Sequence, residues 1–316
     1  TRTASQSSPP FRQQGTLMLT VNGGEDWEAV RVGTRDIRSI TFIDEQQGWL
    51  ICRGGYLYRS FDGGRTWETS LFPAHPLEDD FFKIEFSDAD HGFVLGYPGA
   101  YVTTDGGELW ENNWLPVVPS RGAWNMSIVD EATGFLLGSK WTDSDPELLY
   151  RTDDGGMNWK AVDGSNASIL RAVLTVDFPS PMTGWAGGGV IMKTTDGGGS
   201  WFMQRETATV REFSFLDEST GYAAGSNTIL KTVDGGTNWV DVTPADDRIV
   251  DLRGVFFLDE TTGWATGRGR DETIGDRVYK YSIIMSTTSG GAGWSIREFD
   301  YDVTDLVLLL QTEDQP

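Results

Sequence analysis

Ser60-Phe61-Asp62-Gly63-Gly64-Arg65-Thr66-Trp67 decides the fold, because the chain repeats its Ser/Thr-x-Asp-Gly-Gly-x-x-Trp pattern seven times. The other copies span 20–27, 103–110, 152–159, 194–201, 232–239 and 287–294. Asn22 replaces the Asp in the first copy and Ser289 replaces it in the last. From Asn22 through Asp62, Asp105, Asp154, Asp196 and Asp234 to Ser289, the steps are 40, 43, 49, 42, 38 and 55 residues. A period of about 40 residues with strand-like flanks means a propeller or an array of repeats.

A second signature lies between the boxes, an apolar-x-apolar run, a polar turn and a Gly-aromatic pair. The pairs are Gly48-Trp49, Gly92-Phe93, Gly134-Phe135, Gly184-Trp185, Gly221-Tyr222 and Gly263-Trp264. Each unit is therefore expected to hold four short strands, in the second unit roughly 38–44, 48–53, 55–61 and 67–72. No stretch has helical periodicity with caps. Within the box, Gly-Gly permits positive φ in a tight turn, and the Asp carboxylate can accept from turn N–H groups. Asp62, Asp105, Asp154, Asp196 and Asp234 are accordingly read as structural, not as catalytic acids.

The chain ends complement each other. The run 305–311 matches 253–259 in pattern and is an inner strand with no box after it. The first box, conversely, has no inner strand before it, and residues 9–14 align with 49–54 as its second strand. The expected fold is all-β: a seven-bladed β-propeller of four-stranded antiparallel blades, the ring closed by the C-terminal strand joining the N-terminal blade. Closure leaves only short, protected edges. Residues 1–10 read as a flexible polar tether and 11–316 as one propeller domain.

Composition narrows the function. The net charge of −22 disfavours nucleic acid, whose phosphates need a cationic face. No apolar span approaches the ~18 residues of a transmembrane helix. With one cysteine, Cys52, there is no intrachain disulfide and no zinc-thiolate site, and no metal or cofactor is expected. His75 and His91 read as solvated turn residues. A Ser/Thr-rich tether before a propeller suits an exported, periplasmic or cell-surface protein, lipid-anchored through a removed N-terminal segment.

The box resembles the Asp-box (BNR) repeat. With the neighbouring Gly-Trp strand, as in Ile40-Thr41-Phe42-Ile43-Asp44 leading to Gly48-Trp49, the unit resembles the photosystem II stability/assembly factor family of seven-bladed propellers. That resemblance covers about 11–312. It implies a non-catalytic scaffold that binds a protein partner or a membrane-associated complex on an exported or lumenal membrane face. Sialidases and xyloglucan-cleaving glycosidases share the box. A glycan-binding or glycoside-hydrolysing propeller is therefore the alternative, although sialidases have six blades and the xyloglucan-cleaving enzymes place their acids between two propellers.

Strand direction assigns the faces. Box turns and Asp-x-x-x-Gly turns share the bottom. The larger insertions, 73–81, 113–123, 139–147 and 267–280, then fall on top, where binding loops on a rigid scaffold are expected. Trp114, Trp124 and Trp141 lie in or beside these top loops and suit protein or sugar contact. Aligned on Asp44 and its counterparts, the inner strands bring Arg38, Arg171, Arg211 and Arg253 to one level near the channel mouth, with Phe82, Trp124 and Asp305 at the same place. This is either an anion-binding ring or a set of local ion pairs with Asp36, Asp251 or Asp305. The top-loop acids Glu78, Asp79, Asp80, Asp143, Asp145, Glu147, Asp271 and Glu272 read as solvated surface, and no catalytic residue is assigned.

Overall fold

A computed structural model describes residues 15–20, 26–33, 35–69, 81–96, 100–113, 123–138, 149–162, 173–207, 209–274, 277–279 and 281–299. These residues form an all-β propeller with no helix. Each blade is an antiparallel meander ordered from the central channel outward. The second blade runs Ile37–Phe42, Gly48–Cys52, Tyr56–Ser60 and Glu68–Thr69, close to the strands expected from sequence. The box is the turn between third and fourth strands.

Six four-stranded blades are described, where the sequence predicts seven. They carry the second to seventh boxes. The unit of the first box is a two-stranded sheet, Thr16–Leu19 paired with Glu28–Arg31. The predicted closing strand at 305–311 and residues 1–14 lie outside the described residues. The two ends of the described ring nevertheless meet, for Trp27 of the first box contacts Phe299 of the last blade edge-on at 6.5 Å. The 267–280 insertion contains a hairpin, Glu272–Ile274 with Arg277–Tyr279.

Each of the second to seventh boxes closes on itself. Ser60 Oγ accepts from the Gly64 N–H at 2.8 Å and donates to Asp62 Oδ1 at 2.9 Å. Asp62 also accepts from the Thr66 N–H at 2.9 Å and the Thr66 hydroxyl at 2.6 Å. Gly63 and Gly64 take φ values of 69° and 78°, a left-handed geometry that side chains with a Cβ resist. The Gly63 N–H donates to Gln46 O at 3.0 Å, tying the box to the first turn of its own blade. This bond places both turns on one face, the bottom. In the last box Ser289 Oγ stands in for the carboxylate and accepts from the Gly293 N–H at 3.0 Å.

Blades are joined by aromatic stacks. Trp49 stacks on Phe86 of the following blade at 3.7 Å, and Phe86 meets its own box residue Trp110 edge-on at 6.0 Å. Phe135–Phe178–Trp201, Trp185–Phe215–Trp239 and Tyr222–Phe257–Trp294 repeat the arrangement. A cation covers the other side of the first ring: Arg59 over Trp49, Arg151 over Phe135, Lys193 over Trp185 and Lys231 over Tyr222, at 4.6–5.3 Å. The glycine of the Gly-aromatic pair is needed because the ring of its own inner strand lies against it, or, at Gly134, the side chain of Ile128. A Cβ on Gly48 would collide with Phe42.

Candidate functional site at the channel and its top rim

The innermost strand of a blade is a sheet edge, so its channel-side N–H groups need acceptors. The preceding blade supplies them as side chains. Glu85 Oε2 accepts from the Ile128 N–H at 3.0 Å, Ser127 Oγ from Phe178 at 2.9 Å, Asp177 Oδ2 from Phe215 at 3.0 Å and Ser214 Oγ from Phe257 at 2.9 Å. One strand position thus stitches four of the described seams from inside, with Asn125 Oδ1 adding a bond from the Val176 N–H at 3.1 Å. Between the second and third blades Ser39 Oγ accepts from the Ile84 N–H at 3.3 Å. Among these residues Glu85 also pairs with Lys83 at 2.9 Å. Burial in the channel raises the Asp177 carboxyl to about 6, and Glu85 adds to this. The Phe215 N–H and Lys83 oppose it.

The top rim is shaped by bulges. The inner-strand register shifts between Ile37 and Ser39, Phe81 and Lys83, Ala123 and Asn125, Val173 and Thr175, and Leu252 and Gly254. The extra residues are Arg38, Phe82, Trp124, Leu174 and Arg253. A bulge re-aims the side chain that it carries. Arg211 holds the corresponding place before Glu212–Phe215, with its N–H on Ala224 O at 2.8 Å.

This corrects the alignment in the fifth blade. Asp177 pairs with Trp185, so Phe178 stands opposite Gly184 as Phe42 stands opposite Gly48. Ser180 therefore takes the Asp44 place, and its Oγ accepts from Thr183 as Asp44 Oδ1 accepts from Gln47. Leu174, not Arg171, shares the level of Arg38. The misreading arose because Asp177 lies three residues before the turn residue Ser180. Counting back four from Gly184 finds the right place. Arg171 and Asp305 lie outside the described residues.

The three described rim arginines are exposed. Arg211 and Arg253 share one carboxylate, with Nε atoms 3.4 and 3.5 Å from Asp251. These lengths exceed those of tight charge-assisted bonds, and exposed pairs of this kind contribute about 0–1 kcal/mol. Arg38 makes no ion pair with a described residue. Phe82 is half-buried and Leu174 is 39% exposed beside them. Trp114 and Trp141 lie outside the described residues. The backbone of Trp124 is placed, in the strand Ala123–Ile128.

Other candidate groups are occupied. Burial pushes the Asp62, Asp105 and Asp196 carboxyls up, but the bonds that they accept outweigh it and hold them below the usual range. In Asp154 and Asp234, bonds from Asn158 and Asn238 lead the same downward shift. Asp271 pairs with Arg268 at 2.6 Å, and Glu272 accepts from the Tyr281 hydroxyl at 3.1 Å. Burial pushes the Cys52 thiol up to about 12, with Asp36 adding to it, which leaves no reactive thiolate. His91 is a half-buried turn residue, its Nδ1 donating to Asp88 at 2.9 Å. Sequence reasoning missed the channel-side acceptors because Glu, Ser and Asp at one period-2 position look like ordinary polar strand residues.

Comparisons with known proteins agree with this architecture. The family model "Photosynthesis system II assembly factor YCF48" matches residues 74–168, and the BNR/Asp-box repeat model matches 58–69. The photosystem II assembly lipoprotein Ycf48 of Synechococcus sp. (strain CC9902) is 30% identical over 149 residues. That match covers 46% of this chain and 42% of the relative, so less than half of the relative's length is compared. Among solved structures, YCF48 bound to D1 peptide superposes with a TM-score of 0.62 at 22% identity, covering 89% of this chain and 87% of that one. An ancestral GH74 enzyme gives 0.57 at 15% identity, covering 91% of this chain and 40% of that one. At such identities the superpositions establish the fold. Among the described residues, no helix is long and apolar enough to cross a membrane. Box, blade and match together identify an Asp-box β-propeller similar to the Ycf48-type photosystem II assembly factors.

Proposed function

We propose that this protein is a non-catalytic assembly propeller that binds a protein segment at its top inner rim. The observation that carries the reading is the rim itself. Exposed Arg211 and Arg253 share the single carboxylate of Asp251, and exposed Arg38 makes no ion pair with a described residue, at the same level as Phe82 and Leu174, in a chain of net charge −22. A segment bearing carboxylates beside apolar residues fits that mixture. The likeness to YCF48 bound to D1 peptide supports a peptide partner in a membrane-associated complex. Arg171, Trp114, Trp124 and Trp141 extend the proposed surface towards the top loops. The box carboxylates each hold several structural bonds, which argues against their use as catalytic acids.

The complete ring is read as seven-bladed, with 305–311 as the inner strand of the first blade and 1–10 as a tether. The Trp27–Phe299 contact supports closure between first and last blades. Export with a lipid anchor is the proposed location, supported by the lipoprotein relative.

The test is capture of partners from native membranes with the wild type, an Arg38/Arg211/Arg253→Gln variant and a Trp114/Trp124/Trp141→Ala variant, all of equal melting temperature. A protein held by the wild type and lost from the arginine variant is expected. Equal capture by wild type and arginine variant would sink the rim as the site. A glycan-array signal lost from the tryptophan variant would favour the carbohydrate reading instead.

A further inference from the structure

The repeat is broken at the bottom of the seam between the third and fourth blades. In four of the other five described blades the third strand sets a cation opposite the aromatic of the Gly-aromatic pair, Arg59, Arg151, Lys193 and Lys231, and in the last blade Ser286 holds the place. That cation serves the bottom turns of the next blade. Lys193 Nζ donates to Gly235 O at 3.0 Å and feels the charge of Glu218. In the third blade the position is Val102, opposite Phe93. The counterpart of Glu218 across this seam is Glu131, next to the turn residue Asp130. Glu131 is exposed and makes no ion pair with a described residue.

A histidine approaches Glu131 across the same seam. The turn position of His91 is Gln47, Thr133, Thr183, Thr220 or Thr262 in the other described blades. His91 Nδ1 lies 2.9 Å from both Asp88 oxygens. One ligand atom each from Asp88, His91 and Glu131 falls within 4.8 Å of the other two.

We propose that Asp88, His91 and Glu131 form a divalent-metal site of the zinc class that clamps the third blade to the fourth. One imidazole and two carboxylates form a donor set that zinc accepts, with bonds of about 2.0–2.2 Å. The His91 Nδ1 and the Asp88 carboxylate, 2.9 Å apart as a hydrogen-bonded pair, need to open only to the separation of about 3.4 Å that adjacent tetrahedral zinc ligands take. Binding displaces the Nδ1 proton to solvent. The exposed Glu131 side chain closes the remaining gap by rotation, and water completes the shell. The ion supplies the positive charge that Arg59, Arg151, Lys193 and Lys231 supply in their own seams.

The test titrates zinc chloride into the whole chain in excess magnesium, which occupies diffuse carboxylate sites. Calorimetry and the melting temperature are read together. The wild type is expected to show one saturable site of about one zinc per chain and a zinc-dependent rise in melting temperature. His91→Thr, which installs the residue of four other blades, should weaken binding by tenfold or more without changing the metal-free melting temperature. Val102→Lys, which restores the strand cation, should also weaken it. A wild-type isotherm no tighter than that of His91→Thr would overturn the site. If His91→Thr does not fold, Val102→Lys and Glu131→Gln decide by the same comparison.

Discussion

The seam between the fifth and sixth blades and the seam between the third and fourth are built from the same repeat, yet only the former has every part. At the fifth–sixth seam Lys193 covers Trp185 at 4.6 Å, Trp185 stacks on Phe215 at 3.7 Å, and Phe215 meets Trp239 at 6.0 Å. At the third–fourth seam Val102 replaces the cation and Ile128 replaces the central phenylalanine, between Phe93 and Trp159. The channel-side stitch survives in both, from Glu85 to the Ile128 N–H and from Asp177 to the Phe215 N–H, each at 3.0 Å. The backbone bond is therefore shared by both seams, while the stack is a refinement that the third–fourth seam lacks. Aliphatic packing fills the same volume but has no π-face for a cation and no favoured ring geometry.

The largest effect should come from removing the central ring. Phe215→Ala should cost about 3–5 kcal/mol through lost burial, a cavity and a lost stack. Ile128→Ala should cost about 2–5 kcal/mol and fall below it. Denaturant midpoints of both variants check this, and a larger loss at Ile128 would show that the stack adds nothing beyond volume.

The channel stitch separates the seams by pH. Asp177 has its folded pKa raised, by burial, to about 6, above the ordinary carboxyl range. Its neutral form is thus favoured by folding. The associated stability is fully present below the unfolded value and is lost as pH rises through about 6. Asp177→Asn keeps an oxygen for the Phe215 N–H and removes the charge. The variant should match the wild type near pH 4 and exceed it near pH 8, by up to about 3 kcal/mol. A difference that does not vary between these pH values would refute the buried-charge account.

The smallest effect concerns the strand cation. Lys193→Met should cost about 1 kcal/mol by removing the contact with Trp185 and the bond to Gly235 O. A chemical melt in low and high salt checks it, and a change below experimental error would mean that the cation only solvates the seam.

Much of the architecture was legible in the chain. The boxes, the Gly-aromatic strands and the turn faces all follow from short-range chemistry. Asp62, for example, finds its donors within four residues, at Ser60 and Thr66. Gly48 was readable as a strand start, although the reason for the glycine is the Phe42 ring packed against it. The rim was read less well. Arg38, Arg211 and Arg253 share a level because their strands share a register, but the fifth blade departs from it. There the segment Phe178-Pro179-Ser180-Pro181 replaces the usual turn Asp with Ser180, and Asp177 turns into the channel.

By itself the sequence determined the repeat, the four-strand blade, the box turn and the acidic, single-cysteine composition, since each depends on residue type and local spacing. Tertiary structure alone decided which side chains meet across seams and around the channel. Asp177 reaches the Phe215 N–H 38 residues away. His91 and Glu131 converge from turns of different blades. Such meetings depend on how one blade is rotated against the next, and that rotation is set by stacked rings and edge bonds acting together rather than by any local pattern.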